Sequence, residues 1–105
     1  MSKPHLKALK EALARRGWWV VTVHPGDNYR ISETWEIQRS GQLSLLIDFD
    51  GMDAEGDRCL PIEQSYGCQV RGHAAIALYF RRVNKSRSLW EQELAAFVQA
   101  LDKAV

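Results

Sequence analysis

Gly17-Trp18-Trp19-Val20-Val21-Thr22-Val23 is the stretch that decides the fold. Ahead of it, Leu6, Leu9 and Leu13 recur at helical spacing with Ala8 and Ala12 beside them. From Trp18 onward the residues are aromatic and β-branched, which suits a pleated, half-buried strand. The period therefore changes at Gly17, a residue that tolerates the left-handed conformation common just past a helix end. Arg15 and Arg16 complement the negative end of that helix. Ser2 can cap its start and Pro4 falls in the first turn, where a missing N–H costs nothing. Lys7, Glu11 and Arg15 form a ladder on the solvated side. These features predict a helix over Lys3–Arg16 and a strand over Trp18–His24.

Downstream, Pro25-Gly26-Asp27-Asn28 is a turn cluster. Tyr29–Arg39 alternates, with Ile31, Trp35 and Ile37 on one face and Ser32, Thr34, Glu36 and Gln38 on the other. Ser40-Gly41 is a hairpin signal, and Leu43–Asp50 alternates again, with Leu43, Leu45, Ile47 and Phe49 sharing a face. Short connections of this kind imply an antiparallel meander. After an acidic loop, Gly51–Pro61, two readings of residues 65–82 compete. One is a single long strand. The other, favoured because strands beyond about 10 residues are uncommon, is a hairpin of Ser65–Arg71 with Ala74–Arg82 about Gly72-His73. Ser88 and Glu91 have capping-box spacing ahead of a helix over Leu89–Lys103. Trp90, Leu94, Phe97, Val98, Leu101 and Val105 mark its apolar face, with Trp90 and Phe97 as expected anchors. The expected fold is α+β: one domain over residues 1–105, an N-terminal helix, an antiparallel sheet of four or five strands and a C-terminal helix.

The bulk numbers agree. With 105 residues, 46% hydrophobic and 26% charged, the chain can bury a core of its own. Its net charge of +1 gives no global pull toward nucleic acid or membrane. Uncharged apolar stretches fall far short of the roughly 20 residues that span a bilayer. The basic start lacks the apolar core of a secretory signal, so a cytoplasmic location without membrane association is expected. Cys59 and Cys68 then read as reduced packing thiols.

Little in the chain points to catalysis. Asp48, Asp50, Asp53, Glu55 and Asp57 fall within ten residues at the strand end and in the acidic loop, but the EF-hand spacing is absent and they read as a solvated loop whose charges keep the strand end soluble. Cys59, Cys68 and His73 lack the close pairing of a zinc site. Cys68 and His73 could face each other across the hairpin as a nucleophile and base, but no third group orients them. His5 and His24 stand on other elements, and no phosphate-cradling glycine loop occurs. No metal, cofactor or catalytic residue is therefore expected. A small enzyme without a recognisable motif is the third-ranked reading.

Two surfaces carry the functional expectation. Arg81, Arg82, Lys85 and Arg87 cluster at the start of the second helix, where free N–H groups add to the positive potential. That is the nucleic-acid reading, and it ranks second. The helix–strands–helix order with basic residues before the last helix loosely resembles double-stranded RNA-binding domains. The likeness is one of element order, since the Gly-rich, Ser-Lys-Lys type of approach to the final helix is missing. The leading reading is a sheet face. If Trp19, Val21, Val23, Trp35, Leu45 and Ile76 point toward the helices, Trp18, Val20, Leu46, Ala75, Ala77 and Tyr79 share the other side with Thr22, Thr34 and Glu36. Either one helix covers each face, or that second face is an interface. Trp18, Val20, Leu46 and Tyr79 are then the protein-contact candidates. The expected function is a small interaction module acting through a sheet face, with a second copy of the chain or another protein as partner.

Overall fold

Gly17 adopts a φ of +82° and separates the first helix, α1 (Pro4–Arg15), from the first strand, β1 (Trp18–Pro25). The computed structural model describes residues 4–26, 30–51, 62, 65–80 and 87–104. The chain continues through β2 (Ile31–Arg39), β3 (Leu45–Asp50), β4 (Gly67–Val70) and β5 (His73–Tyr79) to a second helix, α2 (Arg87–Lys103). The strands lie side by side in chain order, each antiparallel to the next. The fold is thus the α+β arrangement read from the sequence, with five strands among the described residues.

Both helices cover the same face of the sheet. Leu6, Leu9, Ala12 and Leu13 of α1 and Leu94, Phe97, Val98 and Leu101 of α2 belong to one buried cluster. The sheet contributes residues that the register places opposite one another: Trp35, Ile47 and Val70 in one row, Phe49, Cys68 and Leu78 in the next. Directly paired residues point to the same side, so these rows form the inner face. At one end of the helices His5 stacks 4.5 Å from Phe80, which meets Trp90 edge-on at 6.1 Å. At the other end Arg16 pairs with Asp102. The two helices therefore run in the same direction.

The phase of β1 differs from the sequence reading. Trp18 pairs with Arg39 and Val20 with Ile37, and Trp18 is buried in the core at 2% exposure. A bulge then steps the register between Val20 and Thr22, so Thr22 meets Glu36 and Val23 meets Trp35. A bulge inserts one residue and flips the alternation beyond it. Trp18 and Val20 consequently face the helices, whereas Trp19 lies on the opposite face, 48% exposed. A second bulge between Ile31 and Glu33 has the same effect on β2. Ile31 pairs with Asp50 away from the core, while Glu33 sits on the helix side and accepts a hydrogen bond from Trp35 Nε1 at 3.2 Å.

Three boundaries also shift. Leu43 is exposed and precedes β3 instead of joining it. The β4–β5 connection is a hairpin, but its turn is Arg71-Gly72, since Val70 pairs with His73. Gly72 supplies the positive φ, +83°, at the second turn position and not at the first. Helix α2 begins at Arg87, so Ser88 lies inside the first turn. Glu91 accepts a hydrogen bond from Arg87 Nε at 3.2 Å, an i, i+4 contact in place of the expected capping box. Among the described residues, no helix is long and apolar enough to cross a membrane.

Candidate functional site: the helix-free face of the sheet

No described helix lies over the face opposite the core. Its centre is the row His24, Thr34, Asp48, Gln69 and Ala77, one residue from each strand. Thr34 and Asp48 are buried at 4% and 8% exposure, although they point away from the hydrophobic core. Neighbouring side chains account for this. The guanidinium of Arg71, at the hairpin turn, grips Asp48 with two bonds: Nε to Oδ2 at 3.0 Å and Nη2 to Oδ1 at 2.7 Å. Thr34 Oγ1 donates to Asp48 Oδ1 at 2.7 Å. A forked, charge-assisted pair fixes geometry better than a single contact. The hydrogen bond to Asp48 holds the Arg71 pKa above its usual value, against a smaller lowering by burial. The Arg71 backbone N–H donates to Leu46 O at 2.9 Å, which anchors the turn to β3.

Two open depressions flank this charged ridge. One, of about 460 Å³, is lined by Arg30, Ile31, Asp50, Gln69, Ala77 and Tyr79, with Asp48 at its border. The other, of about 500 Å³, is lined by His24, Pro25, Ser44 and Leu46 beside Glu36 and Arg71. His24 Nε2 and Glu36 Oε1 are 3.1 Å apart on its wall. Tyr79 stands opposite Gly67 and is 58% exposed. A Cβ at Gly67 would come within 2.7 Å of Leu78 O and 3.1 Å of the Tyr79 ring. The missing side chain thus lets the Tyr79 ring lie close against the sheet, a known use of glycine opposite an aromatic.

The four contact candidates from the sequence divide between the two faces. Leu46 and Tyr79 lie on the open face, while Trp18 and Val20 pack toward the helices. Trp19 replaces Trp18 as the exposed tryptophan. Of the basic cluster, Arg81, Arg82 and Lys85 lie outside the described residues, and Arg87 is exposed beside Glu91. Asp53, Glu55, Asp57 and Cys59 also lie outside them. Among the described residues, no group of three or more His, Cys, Asp and Glu is placed to hold a metal ion.

Cys68 and His73 are not brought together: Cys68 pairs with Leu78 and faces the core, and His73 is exposed beside the turn. Burial pushes the Cys68 thiol pKa far up, against a smaller lowering by a hydrogen bond with the Leu78 backbone. The thiolate is the reactive form, so Cys68 is expected to be inert in the folded protein. In a Cys59→Ser variant, thiol titration with a disulfide reagent should proceed only as fast as the chain opens and should accelerate sharply in denaturant. Equal rates in both conditions would place Cys68 at the surface.

Comparison with known proteins returns no matching family model, no similar curated protein and no similar solved structure.

Proposed function

We propose that this chain is a small interaction module that works through the helix-free face of its sheet, with a second copy of itself as the partner. The carrying observation is that Trp19 and Tyr79, near opposite edges of that face, are both about half exposed. Large aromatics left in water give up burial worth about 1.5–3 kcal/mol each, and Trp and Tyr are the residues most often at the energetic centre of interfaces. Leu46, Ile31 and Ala77 add apolar surface between them.

The charge pattern favours a self-complementary contact. A two-fold interface brings a patch against another copy of itself, so a patch of one sign would repel its partner. Here Arg30, Arg71 and His24 alternate with Glu36, Asp48 and Asp50 across the same depressions. The overall charge of +1 adds almost no repulsion between copies.

The expected result is a monomer–dimer equilibrium in light scattering or sedimentation across a concentration series. Trp19→Glu should weaken it by roughly 30-fold or more, the effect of losing an interface anchor worth about 2 kcal/mol. Leu89→Glu, on α2, should leave it unchanged. A strict monomer at every concentration overturns the second-copy assignment. Salt-dependent binding of RNA or DNA that ignores Trp19→Glu would favour the basic segment Arg81–Arg87 instead.

A further inference from the structure

The helix side of the molecule holds a further cleft, an open groove of about 840 Å³ between α1 and α2. Ala12, Leu94, Ala95 and Val98 line it with apolar surface, Arg16 and Arg39 meet at Asp102, and Arg15, next to Arg16 in the chain, also lines it. Asp102 ties two of these arginines together, accepting from Arg16 Nη1 at 2.5 Å and from Arg39 Nη1. Partial burial raises its pKa, but the hydrogen bonds from Arg39 and Arg16 more than reverse this and leave it below the usual carboxylate range.

Arg39 is held on three sides. Its guanidinium lies 4.7 Å over the Trp18 ring, its Nε donates to Gln42 Oε1 at 2.6 Å, and its Nη1 bonds Asp102. A guanidinium fixed in this way has already lost most of the side-chain freedom that binding would cost. Arg15 has no ion-pair partner among the described residues. The groove therefore carries three guanidiniums, and only Arg16 and Arg39 share its Asp102 carboxylate, because Glu91, also on the groove, is engaged by Arg87. Tying α1, β2 and α2 together needs only Arg16, Arg39 and Asp102. Arg15 is in excess of that need, and so are the unused N–H donors of the other two. The negative end of α1 would repel an anion, and Arg15 and Arg16 stand where they offset it.

We propose that this groove binds a small amphiphilic anion, an apolar body ending in a carboxylate or a phosphate. The terminal oxygens meet Arg15 and the free donors of Arg16 and Arg39, and the body lies on Ala12, Leu94, Ala95 and Val98. The groove falls within the range of about 300–1,000 Å³ typical of small-ligand sites, so an inorganic ion alone would leave most of it empty. This site lies on the opposite side of the sheet from the proposed interface and is independent of it.

The test is titration of the full chain with octanoate, phenyl phosphate and inorganic phosphate, followed by calorimetry and by amide shifts at Ala95 and Val98. Saturable binding of octanoate or phenyl phosphate, tighter than inorganic phosphate, is expected. Which of the two binds more tightly identifies the head group. Arg15→Ala should weaken binding by about tenfold or more, the loss of one charge-assisted contact, with an unchanged melting temperature, and Arg15→Lys should restore part of it. Trp19→Glu should leave it intact. No saturable binding by any probe, binding indifferent to Arg15→Ala, or inorganic phosphate binding as tightly as phenyl phosphate would each overturn the proposal.

Discussion

Phe97→Ala is expected to lower the unfolding free energy by about 3–5 kcal/mol, the usual cost of truncating a buried aromatic. Phe97 is 3% exposed and sits between Leu94 and Leu101 on the buried stripe of α2, against the inner face of the sheet. Its removal leaves a cavity between α2 and the sheet, beside Ile76 of β5, and such a site relaxes poorly because both walls belong to regular elements. For a chain of this size each kcal/mol moves the melting temperature by roughly 4–8 °C, so a fall of roughly 12–40 °C should appear in a thermal scan. Trp90→Ala should cost less, since Trp90 is only partly buried and meets Phe80 by its edge. A smaller shift for Phe97→Ala than for Trp90→Ala would mean that α2 is anchored by its first turn and not by its middle.

The stripe that holds Phe97 was legible in the sequence because it is one-sided: apolar residues recur at helical spacing with polar residues between them. The same logic works for β3, where Leu45, Ile47 and Phe49 alternate with Leu46, Asp48 and Asp50. It fails for β1. Trp18 to Val23 is apolar or β-branched at every position, and a continuous run carries no phase. The bulge after Val20 then makes either phase wrong for part of the strand. Ile31 was misplaced for the same reason, one residue ahead of the bulge in β2. Bulges depend on how two strands fit, and neither strand alone encodes them.

The charged ridge of the open face was equally hidden. Asp48 and Arg71 are 23 residues apart, and Thr34 belongs to a third element. One signal did exist: Asp48 is a carboxylate in mid-strand, beside a strand whose matching position is a threonine. A lone mid-strand acid with a hydroxyl across from it calls for a cation, and the arginine at the next hairpin turn was the available one. The Arg16–Asp102–Arg39 cluster spans both ends of the chain and left no comparable local trace.

Asp48→Ala should cost about 2–3 kcal/mol, the second large effect expected in this molecule. Asp48 accepts from Thr34 and twice from Arg71, and hydrogen bonds to a charged group are worth about 1.5–3 kcal/mol each. The sum is not reached, because the Arg71 side chain is 53% exposed and water takes back its guanidinium once the partner is gone. Thr34 is the costlier orphan, being buried, with only the 3.4 Å contact from Arg71 Nη2 left to its oxygen. Arg71→Ala should therefore cost less than Asp48→Ala, and the double variant less than the sum of the two, with a coupling energy of about 1–2 kcal/mol in a double-mutant cycle. Replacing all three members together, Thr34→Val, Asp48→Leu and Arg71→Leu, separates stability from recognition. Replacing a whole buried ionic cluster by apolar side chains is often neutral or stabilising, so this variant can fold as well as the parent. If it folds and still self-associates, the ridge is only a structural tie between β2, β3 and the hairpin. If it folds and no longer associates, the ridge is retained because it sets the register in which one copy meets another.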